Sequence, residues 1–435
     1  MADSRHLAVK LLCKTFENGS YSNIQLGSAL SSADMEPREK KLCSALYYGV
    51  IERKLTLDHI IGGLSSRPLS KLDASVLNIL RCGIFQIMYM DGIPDNAAVN
   101  ESVKLAKTMK KTSASGMINA ILRNFIRSGK KIKLPADDIM RASVEYSAPP
   151  ELVKALISDY GRDHAENLLE AALGKPDISV RHNQLKCSDE EFLASLDGIN
   201  VEKSQLLEHC YHLDCGDPAG LEAFRKGFFH VQDLSSQLCC AALAPTEDDI
   251  VLDICAAPGG KTFTMAEMMN GKGQIFAFDL HEKRVKLIRD GAERLGLENI
   301  KAAAGDASKF NPELPQFTKI LCDVPCSGIG VIGRKPEIKY KDISDFKSLP
   351  DIQFAIADNA VKYLAAGGEM VYSTCTLRKD ENDSVCDRLL KTHPELEPST
   401  LGGIAGEKFG ARASIFPMHF GSDGFFIAKF RKISR

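Results

Sequence analysis

Through the first 130 or so residues apolar side chains return every three or four positions, as at Val76, Ile79, Leu80, Ile84, Ile87 and Met88. That period predicts amphipathic helices burying one stripe each in a bundle. Breaks at Gly62-Gly63, Ser66 to Pro68 and Gly92 to Asp95, with candidate caps at Asp73 and Asn96, divide the stretch into about six helices. Beyond Leu134-Pro135 and the Ala148-Pro149-Pro150 turn, residues 151–173 again carry a helical pattern. Residues 178–181 and 228–232 then read as short strands of a small α/β linker domain. From about residue 236 the rhythm changes to strands at 250–254, 274–278, 300–304, 320–322 and 369–373 alternating with helical stretches. Such alternation predicts a parallel, doubly wound, Rossmann-like sheet, with residues 425–430 as an antiparallel edge strand. The expected division is 1–140, 145–235 and 236–435.

Composition adds little to this picture until charge is resolved by position. With 44% hydrophobic and 26% charged residues, 435 residues suffice for several cores, and no apolar run is long enough to cross a bilayer. The first twenty residues lack the basic, apolar and small-residue regions of a signal peptide, so a cytoplasmic protein is expected. Most of the thirteen cysteines, which lack framework spacing, are expected to be reduced and buried. The net charge of -2 conceals 20 Lys+Arg against 11 Asp+Glu in residues 1–133, and 35 against 46 thereafter. Lys107, Lys110, Lys111, Arg123, Arg127, Lys130, Lys131 and Lys133 concentrate the excess late in the helical part, as a surface meeting a polyanion would require.

Ligands of open α/β sheets bind beyond the carboxyl ends of the strands, so the residues following each strand carry the chemistry. The first strand runs into Cys255-Ala256-Ala257-Pro258-Gly259-Gly260-Lys261-Thr262, small residues that let backbone approach a nucleotide-like cofactor before a helix opens. It is no P-loop, since Cys255 stands where that motif needs glycine. Lys261 is a candidate for a cofactor carboxylate or a phosphate. Asp279 after the second strand suits two ribose hydroxyls, Asp306 after the third an adenine amino group, and Asp323 after the fourth borders the reactive end. Cys326 and Cys375 each follow a strand, whereas most of the other cysteines are expected to be small buried hydrophobes. The run His209-Cys210-Tyr211-His212-Leu213-Asp214-Cys215 holds ligand types but no paired knuckles, and no metal is expected.

Three of these segments, 255–262, Asp323-Val324-Pro325-Cys326-Ser327-Gly328 and Tyr372-Ser373-Thr374-Cys375-Thr376-Leu377, together resemble the RNA 5-methylcytosine methyltransferases of the Nol1/Nop2/Sun family. Val231-Gln232-Asp233, Lys335-Pro336-Glu337-Ile338-Lys339, Asp380-Glu381-Asn382 and Asp423-Gly424-Phe425-Phe426 look like that family's remaining blocks. The basic front, including Asn119-Ala120-Ile121-Leu122-Arg123, is similar to the NusB-like RNA-binding domain fused to one branch of it. The resemblance implies a class I methyltransferase domain and S-adenosyl-L-methionine as cofactor, held by Cys255 to Lys261, Asp279, Asp306 and Asp323. It further implies Cys375 as the nucleophile toward cytosine C6, Cys326 in product release, and Asp323 at ring nitrogen N3. A flipped or looped cytosine of small-subunit ribosomal RNA is the expected substrate, with a transfer RNA cytosine or a non-catalytic RNA-binding factor as alternatives, and the protein is expected to be a monomer. Two positions depart from the pattern: Gly333 where many relatives have arginine, and Thr376 where serine is common.

Overall fold

A computed structural model describes residues 3–18, 22–174, 177–404 and 407–433. The chain divides into two compact units, residues 1–174 with 332–341, and residues 175–331 with 342–435.

The first unit is helical. Among the described residues seven helices precede residue 130: Ser4–Asn18, Ser22–Ser32, Pro37–Glu52, Lys54–Leu64, Ala74–Tyr89, Asp95–Thr108 and Ser115–Arg127. The sequence predicts about six, because the chain passes from Glu52 to Lys54 through Arg53 alone, with no glycine or proline to mark the joint. Gly62 and Gly63 do not end a helix; a Cβ at either would meet open space, and Ser65 is the C-cap. Asp73 caps as expected, accepting from the amides of Ser75 and Val76 at 2.9 and 3.3 Å. Asn96 does not cap, since the helix starts one residue earlier behind Pro94. The stripe Val76, Ile79, Leu80, Ile84 and Ile87 is buried together with Leu12, Leu46, Tyr47 and Phe125. Residues 151–173 form two helices, Pro150–Tyr160 and Arg162–Ala171, because Gly161 at φ +80° ends the first. The block around Lys335 to Lys339 belongs to this unit. Lys339 Nζ donates to the Glu52 carbonyl at 2.8 Å and the Tyr340 hydroxyl to the Ile51 carbonyl at 2.7 Å, and burial lowers Lys339 to about 7.

The second unit opens with an antiparallel sheet of β1 (Ile178–His182), β2 (Asn200–Lys203), β3 (Cys210–Asp214) and β4 (Phe229–Val231), in the order β2-β3-β1-β4. The two strands legible in the sequence pair directly, Val180 opposite Val231. Phe192, Tyr211 and Phe229 fill the core beneath. A buried ion pair, Arg181 Nε to Glu267 Oε2 at 2.7 Å, joins β1 to the helix Gly260–Met268.

The main sheet contains β5 (Ile250–Asp253), β6 (Gln274–Asp279), β7 (Ile300–Ala304), β8 (Phe317–Asp323), β9 (Leu364–Thr374) and β10 (Leu396–Pro398). A two-stranded ribbon of β11 (Gly402–Ile404) and β12 (Glu407–Phe409) follows, then β13 (Arg412–Ile415) and β14 (Phe425–Lys432). The order is β10-β14-β9-β8-β5-β6-β7, with β13 also on β14. Pairings from β9 through β8, β5 and β6 to β7 are parallel, and β14 runs antiparallel to β9. The expected antiparallel strand is therefore present but is no edge, since β10 and β13 cover its far side. Buried apolar side chains fill both faces of this sheet, Leu238, Met265 and Ile288 in one cluster and Ile356, Ala360 and Leu389 in the other. The chain leaves β5 for β6 and β7 on one side and returns to β8 and β9 on the other, which puts a topological switch point beside β5. No described helix is long and apolar enough to cross a membrane.

Candidate active site

The loop after β5 brings backbone to the switch point. Gly259 sits at φ +112°, and a Cβ there would lie 2.4 Å from Phe263 Cζ, so only glycine fits before the helix Gly260–Met268 begins. Asp253, at the carboxyl end of β5, accepts from the Thr262 hydroxyl at 2.7 Å. It is 1% exposed, and burial pushes its carboxyl up to about 7. Across the carbonyl-lined turn, Arg284 donates to the Ala257 carbonyl at 2.7 Å and pairs with Asp279 at 2.9 Å. The sequence reading missed Arg284, whose only signal was its place one helical turn past Asp279.

The proton on Asp253 gives a stability test. In the fold this carboxyl holds its proton to about pH 7, whereas an unfolded chain releases it near the ordinary value of 3.8. Stability from this group is therefore fully present below the lower value and declines as pH rises to about 7, by at most about 4 kcal/mol. Asp253→Asn removes that slope. The melting temperature of the variant minus that of the wild type should grow by several degrees from pH 5 to pH 8, and a difference flat with pH contradicts the assignment.

Asp279 ends β6, is 4% exposed, and also accepts from the His281 amide at 3.2 Å. Asp306, beyond β7, accepts from the amide and hydroxyl of Ser308 at 3.1 and 2.6 Å and pairs with Lys309 at 3.1 Å, contacts that hold its carboxyl below the usual range. Its visible engagements are those of a turn. Lys261 meets a carboxylate of the protein itself: Nζ lies 2.7 Å from Asp323 Oδ2. Burial acts to lower Lys261, but the adjoining Asp323 charge outweighs it and holds the ammonium well above its ordinary value. Asp323 Oδ1 accepts from Ser373 at 2.9 Å, across the register that sets β8 against β9.

These adjacent strands deliver the two cysteines. Cys326 Sγ and Cys375 Sγ are 3.3 Å apart, both half-buried and neither in a disulfide. The hydrogen bond with Cys375, then burial, push the Cys326 thiol well up. The loops carrying the sulfurs are tied by the acidic block: Glu381 accepts from the Ser327 amide and from Gln353, each at 2.9 Å, and Asn382 donates to the Thr376 carbonyl at 3.0 Å. Thr376, where serine is common, is fully buried with its hydroxyl 2.8 Å from that of Ser327. The Gly330 amide donates to the Cys375 carbonyl at 3.0 Å, and a Cβ on Gly330 would stand 1.9 Å from the Gly424 carbonyl oxygen. Glycines at 330 and 424 thus let the segment after Cys326 pass under the loop that carries Cys375.

In the helical unit, Lys107, Lys110, Arg123, Arg127, Lys130 and Lys131 are exposed and Lys111 is half-buried. Lys111 pairs with Asp73 at 2.6 Å and Lys130 with Asp95 at 2.8 Å, while Arg123 donates to Asn119. Two of the seven charges are thus partly neutralised within the unit.

A carboxylate, an ammonium and two thiols at the carboxyl ends of neighbouring parallel strands, beside a glycine turn, make a site for group transfer from a nucleotide-like cofactor. The family model described as 16S rRNA methyltransferase RsmB/F matches residues 240–431. The NusB family matches residues 2–127, and a ferredoxin-like domain of the RsmF/B methyltransferases matches residues 148–217. The probable ribosomal RNA small subunit methyltransferase B of Bacillus subtilis (strain 168) is 38% identical over 440 residues, covering 98% of each chain. The chain belongs to the RsmB/F family of ribosomal RNA methyltransferases. A second family member, the probable ribosomal RNA small subunit methyltransferase B of Synechocystis sp., is 32% identical and covers 99% of this chain and 100% of its own. The structure of NSun6 from Pyrococcus horikoshii with SFG matches at TM-score 0.60 and 23% identity, over 66% of this chain and 99% of that one, a likeness of fold.

Proposed function

We propose that the protein transfers a methyl group from S-adenosyl-L-methionine to carbon 5 of a cytosine in 16S ribosomal RNA, with Cys375 as covalent nucleophile. The observation that carries this reading is the 3.3 Å approach of Cys326 and Cys375 beside the Lys261–Asp323 pair. Membership of a family described as 16S rRNA methyltransferases supports the substrate. The segments 1–140, 145–235 and 236–435 are taken as its RNA-binding, linker and catalytic parts, with Lys107, Lys110, Lys111, Arg123, Arg127, Lys130 and Lys131 contacting phosphates.

The residues fit the cofactor. Backbone at Ala256 to Gly260 is bare of side chains large enough to block it, and Asp279 stands one strand away for the ribose. When bound, the cofactor supplies an electrophilic methyl group. Cytosine C5 is too electron-poor to take it unaided. Cys375 Sγ bonding to C6 turns C5 into an enamine carbon, while Asp323 accepts a hydrogen bond from the amino edge or holds a proton at N3. After transfer, C5 loses its proton, the ring double bond re-forms and the C6–sulfur bond breaks. Cys326 is suited to this late stage. Its sulfur lies 3.3 Å from that of Cys375, and once Cys375 is bonded to C6 the Cys326 thiol passes its own proton to solvent and the resulting thiolate takes the proton from C5.

Transcribed 16S RNA incubated with the protein and S-adenosylmethionine, then digested to nucleosides, should yield 5-methylcytidine by mass spectrometry, and transfer RNA should not. A product methylated at any other atom would overturn the reaction, and methylated transfer RNA alone would overturn the substrate.

A further inference from the structure

The small sheet carries a second cluster that the methyl-transfer reading does not use. His182 ends β1, Asp189 opens the helix Asp189–Ala194, and His209 immediately precedes β3 with the unusual φ of +62°. One ligand-type atom from each lies within 4.8 Å of the other two.

The hydrogen bonds of His182 fix what the cluster lacks. Its Nε2 lies 3.1 Å from the Cys187 carbonyl and 3.5 Å from the Cys187 thiol, and the nearer group, the carbonyl, only accepts, so the tautomer that meets it carries the hydrogen on Nε2. In a neutral ring Nδ1 is then a lone pair. It is aimed at Asp189 Oδ1, 2.9 Å away, and the same oxygen lies 3.8 Å from His209 Nδ1. His182 is 1% exposed and its Nδ1 meets only the Asp189 carboxylate, while His209 Nδ1 has no hydrogen-bond partner. Lone pairs converging on a carboxylate oxygen, the one on His182 fully buried, repel one another unless a positive charge stands among them. Lys203 lies 3.6 Å from the other oxygen of Asp189, and the Tyr211 hydroxyl also bonds this carboxylate.

We propose that His182 Nδ1, His209 Nδ1 and an Asp189 carboxylate oxygen bind a first-row divalent cation of the zinc class. Two imidazoles and one carboxylate are a donor set that Zn²⁺, Co²⁺ and Ni²⁺ favour. Tetrahedral bonds of about 2.0 to 2.1 Å place ligand atoms about 3.3 Å apart, a value that the observed 2.9 and 3.8 Å bracket. The Cys187 carbonyl on the far nitrogen of His182 supplies the outer contact that orients a metal-bound imidazole. A water completes four ligands. The site differs from the run 209–215 considered from sequence. Of that run it uses His209 alone, since His212 turns to Ser179 Oγ at 3.2 Å and Cys210 lies in the core. Its ligands come from three elements of the small domain, so the metal would clamp β1, the following helix and β3 together. The spacing from 182 to 189 to 209 matches no standard sequence motif, which is why the cluster emerges only in the fold.

The test uses the full, reduced chain stripped with a chelator. Equilibrium dialysis against Zn²⁺ should give one tightly held ion per chain, and Co²⁺ should give a nitrogen-and-oxygen d–d spectrum without thiolate charge-transfer bands. His209→Gln and Asp189→Asn, both at half-buried positions that spare the core, should each weaken binding by about 100-fold. Zn²⁺ should raise the melting temperature of the wild type and of neither variant. Absence of stoichiometric binding, binding unchanged in both variants, or thiolate bands that report capture by cysteines would each overturn the site.

Discussion

Replacing Cys375 with alanine should lower methyl transfer to ribosomal RNA by on the order of 10³-fold or more, with cofactor affinity unchanged. The sulfur is the sole atom in this arrangement that would bond to C6, and without it C5 remains too electron-poor to react. Cys326→Ala should behave differently although its sulfur is only 3.3 Å away. It should form the bond to RNA and transfer the methyl group, then stall, so that a protein–RNA adduct accumulates on unmodified RNA while turnover falls by roughly 10² to 10³-fold. Single-turnover transfer and denaturing gels measured on the same samples separate the two. If both variants lose activity without an adduct, the sulfurs act as one structural pair. If Cys375→Ala accumulates the adduct, their roles are reversed.

The second large effect is expected at Asp279. Its carboxylate would exchange contacts with Arg284 and His281 for the two ribose hydroxyls of the cofactor, and a charged acceptor making two such bonds is worth about 3 kcal/mol or more. Asp279→Ala should therefore weaken S-adenosylhomocysteine binding by calorimetry by roughly 100-fold or more, while kcat at saturating cofactor changes little. Arg284→Met serves as the comparison. It breaks the same 2.9 Å ion pair and the bond to the Ala257 carbonyl, so it should lower the melting temperature while disturbing cofactor affinity far less. Equal losses of affinity in both variants would assign Asp279 to holding the loop instead of the ribose.

What was legible in the sequence follows physical range. Periodicity is local, and it located the helical bundle, the parallel strands and the strand-end positions where Asp279, Asp323, Cys326 and Cys375 lie. It could not show that β14 is covered by β10 and β13, because strand order depends on contacts between distant segments. Gly62 and Gly63 misled it for the opposite reason: the helix passes through them because its other face is held by Leu57, Ile60 and Ile61 in the core. The partner of Lys261 was likewise out of reach, since Asp323 lies 62 residues away. The block at Lys335 to Lys339 read only as one more segment resembling the family, yet Lys339 and Tyr340 engage the carbonyls of Glu52 and Ile51, nearly 290 residues earlier. Side-chain chemistry without a fixed spacing, as at His182, Asp189 and His209, left no trace a linear reading could weigh.

The central claim is that Cys375 bonds to the cytosine of a methyl-accepting RNA, and one measurement reaches it directly. Small-subunit RNA containing 5-fluorocytosine, incubated with wild-type protein and S-adenosylmethionine, should be trapped covalently, because fluorine cannot leave C5 as a proton does. Proteolysis and mass spectrometry of the trapped complex should place the methylated nucleotide on the peptide containing Cys375. A nucleotide on the Cys326 peptide, or no adduct at all while methylation of ordinary RNA proceeds, would contradict the account.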